Sequence, residues 1–385
     1  MAQLEAAEDA VQSALEQAML HWPRRGTPAN PAGWLHQVAR RSLIDTLRHR
    51  RVIENAVPLL HQDDSVDTLD DDWQAQARLP DSLLHMMFVC CHPALDRRTQ
   101  LALTLKILCG FGVREVAAGL LQREEAVKKR LQRGRARLKS LAIELELPAD
   151  DELPPRLDAI HHALYLMFNE GYSASSGTVP IHDDICEEAT RLCHLIACHP
   201  IATPATHALL ALMLCHAARI GSRTNDRGDT LLLEEQDRSS WDRGLIEQGR
   251  RWLQRSGLPS SRYHLEAAIA LLHCQAESTQ DTDWSTIAHL YQQLSAFSDS
   301  PLYRLNRALA LAEAGEPARA ATLLDTIASD AALGEYHLLA SARGRVLEKL
   351  GRPDAACDAY REAAGIARAD HARTVLERHI KRLSH

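Results

Sequence analysis

The sequence predicts an all-α protein, and three observations lead to that class. Runs rich in alanine and leucine at helical spacing extend from one end of the chain to the other. Aromatic residues make up only 4% of the sequence. Few stretches show the alternation of β-branched residues that is typical of strands. An apolar content of 45% in 385 residues is enough for sizeable cores, and this length allows two or three domains.

The first 60 residues predict two helices joined by a loop. Residues 5–20 have helical spacing and an acidic first turn. Asn30 and Pro31 form a favourable helix start, because asparagine caps free backbone N–H groups and proline fits the first helical position. The second helix, 33–51, has an apolar side, and arginines occupy the opposite arc: Arg40, Arg41, Arg48 and Arg51.

Residues 61–80 predict a linker. Six aspartates and no basic residue lie within 61–73, and a run of like charge of this kind stays solvated rather than packed. Apolar helical spacing resumes at 83–91 and, after Pro93, again at 96–109. A second helical module is therefore expected to begin near residue 81.

Residues 97–140 have the pattern of a helix-turn-helix. They contain 12 basic and three acidic side chains, so their net charge is +9 in a chain whose net charge is −7. A short amphipathic helix is predicted over 113–120 and a longer one over 124–141. Apolar or small residues form one narrow stripe on the longer helix: Val127, Leu131, Gly134, Leu138 and Leu141. The basic side chains then project elsewhere, as they do in a helix that lies in the major groove. From this segment alone, a solvated basic helix without a DNA partner remains the alternative.

Residues 148–155, which are rich in proline and acidic side chains, predict a domain boundary. In the last hundred residues, Gly315 and Gly351 begin two similar stretches that are shifted by 36 positions. A helix, a Gly-x-Pro turn and a second helix form the tetratricopeptide pattern, whose usual period is ~34 residues. A weaker unit fits 264–298. A helical bundle without repeats is the alternative architecture for this part.

Several function classes are disfavoured by the composition. The nine cysteines include no Cys-x-x-Cys, and adjacent pairs such as Cys193-His194 point about 100° apart on a helix, so we expect no metal site. No Gly-rich phosphate loop or nucleophile motif occurs, so we expect no cofactor and no catalytic residues. No stretch approaches the ~20 apolar residues of a membrane span, and no charged-then-apolar leader follows Met1. We therefore expect a cytoplasmic protein with no membrane partner.

Taken in order, these pieces resemble a bacterial RNA polymerase sigma factor of the extracytoplasmic-function (ECF) type. They are most similar to the group with a tetratricopeptide-like C-terminal extension and a middle region like the family DUF6596. Residues 8–12 (Glu-Asp-Ala-Val-Gln) resemble the helix that binds the clamp coiled coil of the β′ subunit. Residues 28–48 resemble the loop and helix that read and melt the −10 promoter element. Residues 90–95 (Cys-Cys-His-Pro-Ala-Leu), followed by the basic helix pair, resemble the module that reads the −35 element.

The resemblance implies a non-enzymatic subunit whose partners are promoter DNA and core RNA polymerase, the latter through the β′ clamp helices and the β flap. The implied polymerase-binding residues are Glu8, Asp9, Gln12 and Leu15. The implied contacts with the −10 element are Asn30, Trp34, Arg40, Arg41 and Arg48. For Trp34, a place in the core of the module is the alternative. The implied contacts with the −35 element are Arg123, Lys128, Lys129, Arg130, Arg133, Arg135 and Arg137. Of the last set, we expect Lys128, Lys129 and Arg133 to face DNA.

The same resemblance divides the chain into five parts. They are a sigma region 2 module (1–60), an acidic linker (61–80), a sigma region 4 helix-turn-helix module (81–145), a helical middle region (156–262) and tetratricopeptide-like repeats (263–385). The middle region contains two stretches typical of the extended group, 168–175 and 234–242. Residues 141–385 carry a net charge of −10, whereas 1–140 carry +3. This asymmetry favours nucleic-acid contact at the front, and a protein partner or autoregulation at the rear.

Two other functional hypotheses remain at this stage. The chain could be a helix-turn-helix regulator or a decayed sigma factor that binds DNA or polymerase without starting transcription. This hypothesis is favoured by the shortness of the stretch between Met1 and Glu8, because sigma factors of this type have about one more helix there. An enzyme that uses Cys, His and Glu residues of the C-terminal part has no motif in its support.

Overall fold

The computed structural model describes residues 2–25, 31, 35, 38, 39, 81–120, 122–141, 148, 150–173, 181–225, 231–297, 300–328, 337–367 and 370–384. The regular elements in these ranges are helices, which confirms the predicted all-α class. In chain order they are α1 (Ala2–Arg25), α2 (Ser82–Cys90), α3 (Arg97–Leu103), α4 (Val113–Gly119), α5 (Glu124–Ser140), α6 (Pro154–Tyr172), α7 (Asp183–Cys198), α8 (Pro204–Ala217), α9 (Arg243–Arg255), α10 (Arg262–Gln275), α11 (Trp284–Phe297), α12 (Pro301–Glu313), α13 (Pro317–Ile327), α14 (His337–Lys349), α15 (Pro353–Ile366) and α16 (Asp370–Leu383).

The helix predicted over 5–20 lies within α1. Ala10, Ala14 and Ala18 are buried on one side of α1, at the i, i+4, i+8 spacing of a helix face. The predicted helix 33–51, apart from a few single positions, and the predicted linker 61–80 lie outside the described residues.

Helices α2–α5 form the helix-turn-helix module. Two of these helices begin at aspartates that accept backbone N–H bonds: Asp81 from Leu84 at 2.9 Å, and Asp96 from Thr99 at 3.1 Å. Such caps satisfy N–H groups that have no partner within the helix. A π-helical turn, Thr104–Leu108, continues α3 and leads to the turn before α4. The buried residues of α5 are Val127, Leu131, Gly134 and Leu138, which confirms four of the five positions of the predicted stripe. The fifth, Leu141, is the C-cap and is half-buried.

The core of the helix-turn-helix module continues into α6, beyond the predicted boundary at 148–155. Leu157, Ile160 and Leu164 of α6 belong to the same buried cluster as Phe88 and Leu103 of the module. The proline-rich segment therefore separates two stretches of sequence but not two cores. The composition of residues 148–155 could not predict the shared core, because composition does not reveal which neighbour covers each apolar side of α6.

Polar contacts also join α6 to the helix-turn-helix module. The guanidinium of Arg156 is buried, and its Nη1 donates a hydrogen bond to the backbone carbonyl of Phe88 at 2.9 Å. Arg97 of α3 forms an ion pair with Asp158 of α6 at 2.9 Å. The module is thus fixed against the C-terminal part of the chain, α6–α16, by both apolar and polar contacts.

The last third of the chain consists of helical hairpins. Helix α12 turns into α13 at Gly315, and α14 turns into α15 at Gly351. Both glycines have a positive φ, 85° and 70°, a conformation that costs little only for glycine. Leu324 and Tyr360, which occupy equivalent places in the two hairpins, are both buried. The pairs α10–α11, α12–α13 and α14–α15 fit the predicted tetratricopeptide-like arrangement.

We expect acid to destabilise the protein between about pH 6.5 and pH 4 through His161 of α6. Its ring is buried, and Nε2 lies 2.8 Å from Oγ1 of Thr206. Burial lowers the pKa of His161 from 6.5 to about 4, so the folded state holds the neutral ring while the unfolded chain takes up a proton first. This contribution to stability is complete above pH 6.5 and is lost as the pH falls towards 4.

Urea unfolding at pH 7.5 and at pH 5.0 measures this effect. A His161→Gln variant should lose less stability between the two pH values than the wild type does. The comparison between the two proteins is needed because burial also lowers the pKa of His162 to about 4 and that of His216 to about 3. An identical pH dependence in the variant and the wild type would contradict the assignment to His161.

Candidate nucleic-acid interface

The helix-turn-helix consists of α4 and α5, which are close together in the chain. Arg123 is the N-cap of α5, with extended backbone angles (φ −77°, ψ 143°) and no side-chain capping bond. Glu124 and Glu125 occupy the first turn, where negative charge favours the positive end of the helix dipole. Because the buried stripe of α5 is narrow, most of its circumference remains exposed.

Four basic side chains on α5 and its N-cap are exposed and available to a partner. They are Arg123, Lys129, Arg133 and Arg137. Within the part of the chain that the structure describes, these four side chains form no ion pair. Uncompensated positive charge on one exposed helix is the electrostatic footprint of a polyanion partner.

The other predicted DNA contacts on this helix have partners within the protein. Lys128 forms an exposed ion pair with Glu125 at 2.7 Å. Arg130 is only 25% exposed, and its Nη1 lies 2.9 Å from Oδ1 of Asp96, the N-cap of α3. Arg130 therefore fixes the orientation of α5 against α3. Arg135 is half-buried and is also engaged within the chain. A charge count cannot distinguish these residues from the four exposed ones.

Gly134 allows α5 to pack closely on α3. A Cβ atom at this position would lie 2.5 Å from Cγ2 of the buried Thr99 and 3.1 Å from Cδ1 of Leu103. Both neighbours belong to α3, whose residues in this segment are buried. The glycine thus sets the distance between the two helices that support the exposed basic surface.

We expect Gly134→Ala to destabilise the protein by about 1–3 kcal/mol, because overpacking of a core contact moves helices apart or forces strained rotamers. Gly365 provides a matched control, because a Cβ atom there would meet nothing within 4 Å. Gly365→Ala should therefore be neutral or slightly stabilising, since alanine favours helices. Thermal unfolding of both variants measures the difference. Equal stabilities would show that α3 and α5 tolerate a larger separation.

Helix α1 presents a second exposed surface, and this one is apolar. Val11 and Leu15 are about half exposed, and Met19 is mostly exposed. They follow one another at i, i+4, i+8, so they form a stripe on one helix face, which we call the α1 stripe. Asp9 and Gln12 beside it are exposed as well. The sequence contains two stripes with this spacing on α1, and it could not predict that the alanines are buried and the larger residues exposed.

Three known protein families match segments of the chain. Sigma-70 region 2 matches residues 1–52, sigma-70 region 4 matches residues 85–138, and a family of unknown function, DUF6596, matches residues 156–257. An uncharacterized protein of Rhizobium meliloti (strain 1021) is 36% identical over 370 residues, which cover 94% of this chain and 86% of the relative. The chain belongs to the ECF-type sigma factors with a C-terminal extension. No solved structure matched it.

Because the chain belongs to this family, partners can be expected for the two exposed surfaces. Core RNA polymerase and promoter DNA are the partners that sigma-70 regions 2 and 4 imply. The exposed basic residues of α5 lie in the sigma region 4 match, and the α1 stripe lies in the sigma region 2 match. The roles of the individual residues in this sigma factor remain predictions.

The residues predicted to contact the −10 element, Asn30, Trp34, Arg40, Arg41 and Arg48, lie outside the described residues. So does the side chain of Glu8, one of the predicted polymerase contacts.

The nine cysteines are free thiols. Burial raises the pKa of Cys91 to about 11, so this thiol stays protonated at neutral pH and behaves as a small apolar side chain. Over the described residues, no three His, Cys, Asp or Glu side chains come together in a way that could hold a metal ion. No described helix is long and apolar enough to span a membrane.

Proposed function

We propose that this chain directs bacterial RNA polymerase to promoters by reading two DNA elements. In this proposal, α5 enters the major groove at the −35 element, and the module at 1–60 reads and melts the −10 element. The observation that carries the proposal is the separation of faces on α5. Four residues of its apolar stripe, from Val127 to Leu138, are buried, whereas Lys129, Arg133 and Arg137 are exposed and unpaired among the described residues. Polymerase supplies the catalysis, and the sigma factor performs none.

The α1 stripe is proposed as part of the surface that binds the clamp coiled coil of β′. Apolar side chains that remain exposed in a contiguous row commonly mark protein interfaces. Val11, Leu15 and Met19 would pack against the partner helices, with Asp9 and Gln12 as polar neighbours. This extends the sequence prediction, which named Leu15 as a contact and placed Val11 within the binding segment 8–12 but did not include Met19.

Leu15→Asp tests this surface. The substitution places a charge in the proposed apolar contact, so we expect core polymerase to bind the variant at least tenfold more weakly, which corresponds to ~1.4 kcal/mol. Leu258→Asp is the matched control, because Leu258 is 87% exposed and lies in a turn of the C-terminal part. Equal polymerase affinity for both variants, measured by surface plasmon resonance, would remove the α1 stripe from the interface.

The C-terminal part is proposed to act as a positive, non-catalytic element of the sigma factor. Helix α6 packs against the helix-turn-helix module. The basic side chains of α5 are nevertheless exposed in the presence of α6–α16. An acidic extension that masked the DNA-reading surface would cover these side chains. We propose instead that the C-terminal part supports the module and offers its helical hairpins to a protein partner.

A further inference from the structure

A cavity of about 470 Å³ lies where α6, α8 and α10 approach the segment at residues 231–236. This volume is within the usual range of small-molecule sites. Its walls include Tyr165, Phe168, Tyr172, His216, Arg219 and Arg223, and we call it the arginine cavity. The two sequence stretches that the promoter-reading function leaves without a role meet here, since Phe168 belongs to one and Gln236 to the other.

Neither arginine of this cavity has an acidic partner in the part of the chain that the structure describes. Arg219 is 8% exposed; its Nη2 donates a hydrogen bond to Oε1 of Gln236 at 3.3 Å, and its guanidinium lies 5.0 Å from the ring centre of Trp241. Arg223 stacks over the ring of Tyr172 at 3.7 Å and donates a hydrogen bond to the Tyr172 carbonyl. Among the described residues, no carboxylate forms an ion pair with either guanidinium.

A neighbouring cavity of about 410 Å³ provides a comparison, because its arginine is paired with carboxylates. Arg345, which lines it, forms ion pairs with Glu313 at 2.9 Å and with Glu234. Glu313 also pairs with Lys349 at 2.7 Å. Arg345 is thus neutralised by carboxylates, whereas no described carboxylate pairs with Arg219 or Arg223. A buried charge without a counter-ion is costly, so the buried Arg219, with the half-buried Arg223 in the same cavity, favours the binding of an external anion.

The titration behaviour of the surrounding groups agrees with this excess of positive charge. Burial, followed by the nearby Arg219 and Arg223, lowers the pKa of His216 to about 3, so this ring is neutral at pH 7. Burial and the neighbouring Arg219 also lower the pKa of Arg223. Glu266 lines the cavity too, but burial raises its pKa, and its carboxyl group accepts a hydrogen bond from Tyr303 at 2.6 Å instead of pairing with the arginines.

We propose that the arginine cavity binds a small organic anion, whose carboxylate or phosphate group lies against Arg219 and Arg223 and whose body packs on the aromatic side chains of α6. Guanidinium groups bind planar carboxylates and phosphates through paired hydrogen bonds, and the tyrosine and phenylalanine rings suit an aromatic or aliphatic body. This proposal is independent of the proposed promoter function, because its test measures the binding of a ligand and not transcription.

The experiment uses the full chain and four probes: benzoate, phenyl phosphate, inorganic phosphate and the neutral benzamide. At a hundredfold excess over its Kd, benzoate or phenyl phosphate should raise the midpoint of thermal unfolding by about 3 °C or more, and benzamide should not. A response to benzoate alone identifies a carboxylate site, and a response to either phosphate identifies a phosphate site. No response to any anion, or an equal response to benzamide, would overturn the proposal without the need for a variant.

Variants test whether the anion binds to the two arginines of the cavity. Isothermal titration should show binding at least tenfold weaker in Arg219→Gln and in Arg223→Gln. Arg345→Gln, which alters the neutralised cavity, should bind the anion as the wild type does. Circular dichroism checks that each variant is folded. Unchanged affinity in the folded Arg219→Gln or Arg223→Gln variant, or equal loss in Arg345→Gln, would also overturn the site.

Discussion

Arg156→Met is expected to lower the free energy of unfolding by about 3 kcal/mol and to loosen the helix-turn-helix module from α6. Arg156 is 4% exposed, and its Nη1 donates to the Phe88 carbonyl at 2.9 Å. Its Nη2 pairs with Glu152 at 2.9 Å. Removing the guanidinium leaves a buried carbonyl without a donor, which costs about 1–3 kcal/mol, and breaks an ion pair that is partly buried. Methionine keeps much of the apolar volume, so the loss reports mainly on the polar contacts.

Hydrogen exchange measured by mass spectrometry shows which helices lose stability in the Arg156→Met variant. Peptides from α2 to α5 should exchange faster in the variant, whereas peptides from α12 to α15 should be unchanged. Arg191→Met is the matched control, because Arg191 also joins the C-terminal part to the module, through Asp81 at 2.7 Å, but does so at the surface. Surface ion pairs contribute about 0–1 kcal/mol. If both variants lost the same stability, the buried position of Arg156 would not explain its effect.

The periodicity of the sequence was sufficient to predict α5, because its buried residues recur at helical spacing between strongly polar ones. The charge pattern predicted which helix carries the exposed basic surface, but not which of its basic side chains are paired within the protein. Arg130 and Arg133 look equivalent in the sequence, yet Arg130 pairs with Asp96, which lies 34 positions earlier in the chain. Such a pairing depends on how α3 and α5 cross, and no local pattern encodes it.

The shared core and the arginine cavity could not be predicted for the same reason. Both depend on which faces of α6 meet which partners, and α6 is apolar on more than one side. One face covers the helix-turn-helix module, and its C-terminal turns line the cavity with Phe168 and Tyr172. The sequence marked the stretch 168–175 only by resemblance, without a physical role for it.

Lys129→Ala combined with Arg133→Ala is expected to weaken promoter binding by the polymerase holoenzyme roughly 100-fold. Both side chains are exposed, so the fold should lose little stability. A lost base contact costs ~1–3 kcal/mol at one position of the site, whereas each lost phosphate contact reduces the salt dependence of binding by about 0.9 in slope. Fluorescence anisotropy at several salt concentrations distinguishes the two kinds of contact.

Arg352→Ala combined with Lys381→Ala is the control for this double variant. It also removes two positive charges from exposed positions, one at the N-cap of α15 and one on α16. Any effect of total charge on association should appear equally in both proteins. An unchanged promoter affinity in the α5 variant would remove α5 as the recognition helix.

Transcription in vitro shows whether this chain starts transcription at specific promoters, as we propose. Core RNA polymerase, the purified chain and genomic DNA fragments are combined, and the 5′ ends of the new transcripts are sequenced. We expect discrete start sites that require the chain, share sequence elements near −10 and −35, and disappear with the Lys129→Ala, Arg133→Ala variant. DNA or polymerase binding without any chain-dependent start site would contradict the claim and favour a regulator that does not initiate transcription.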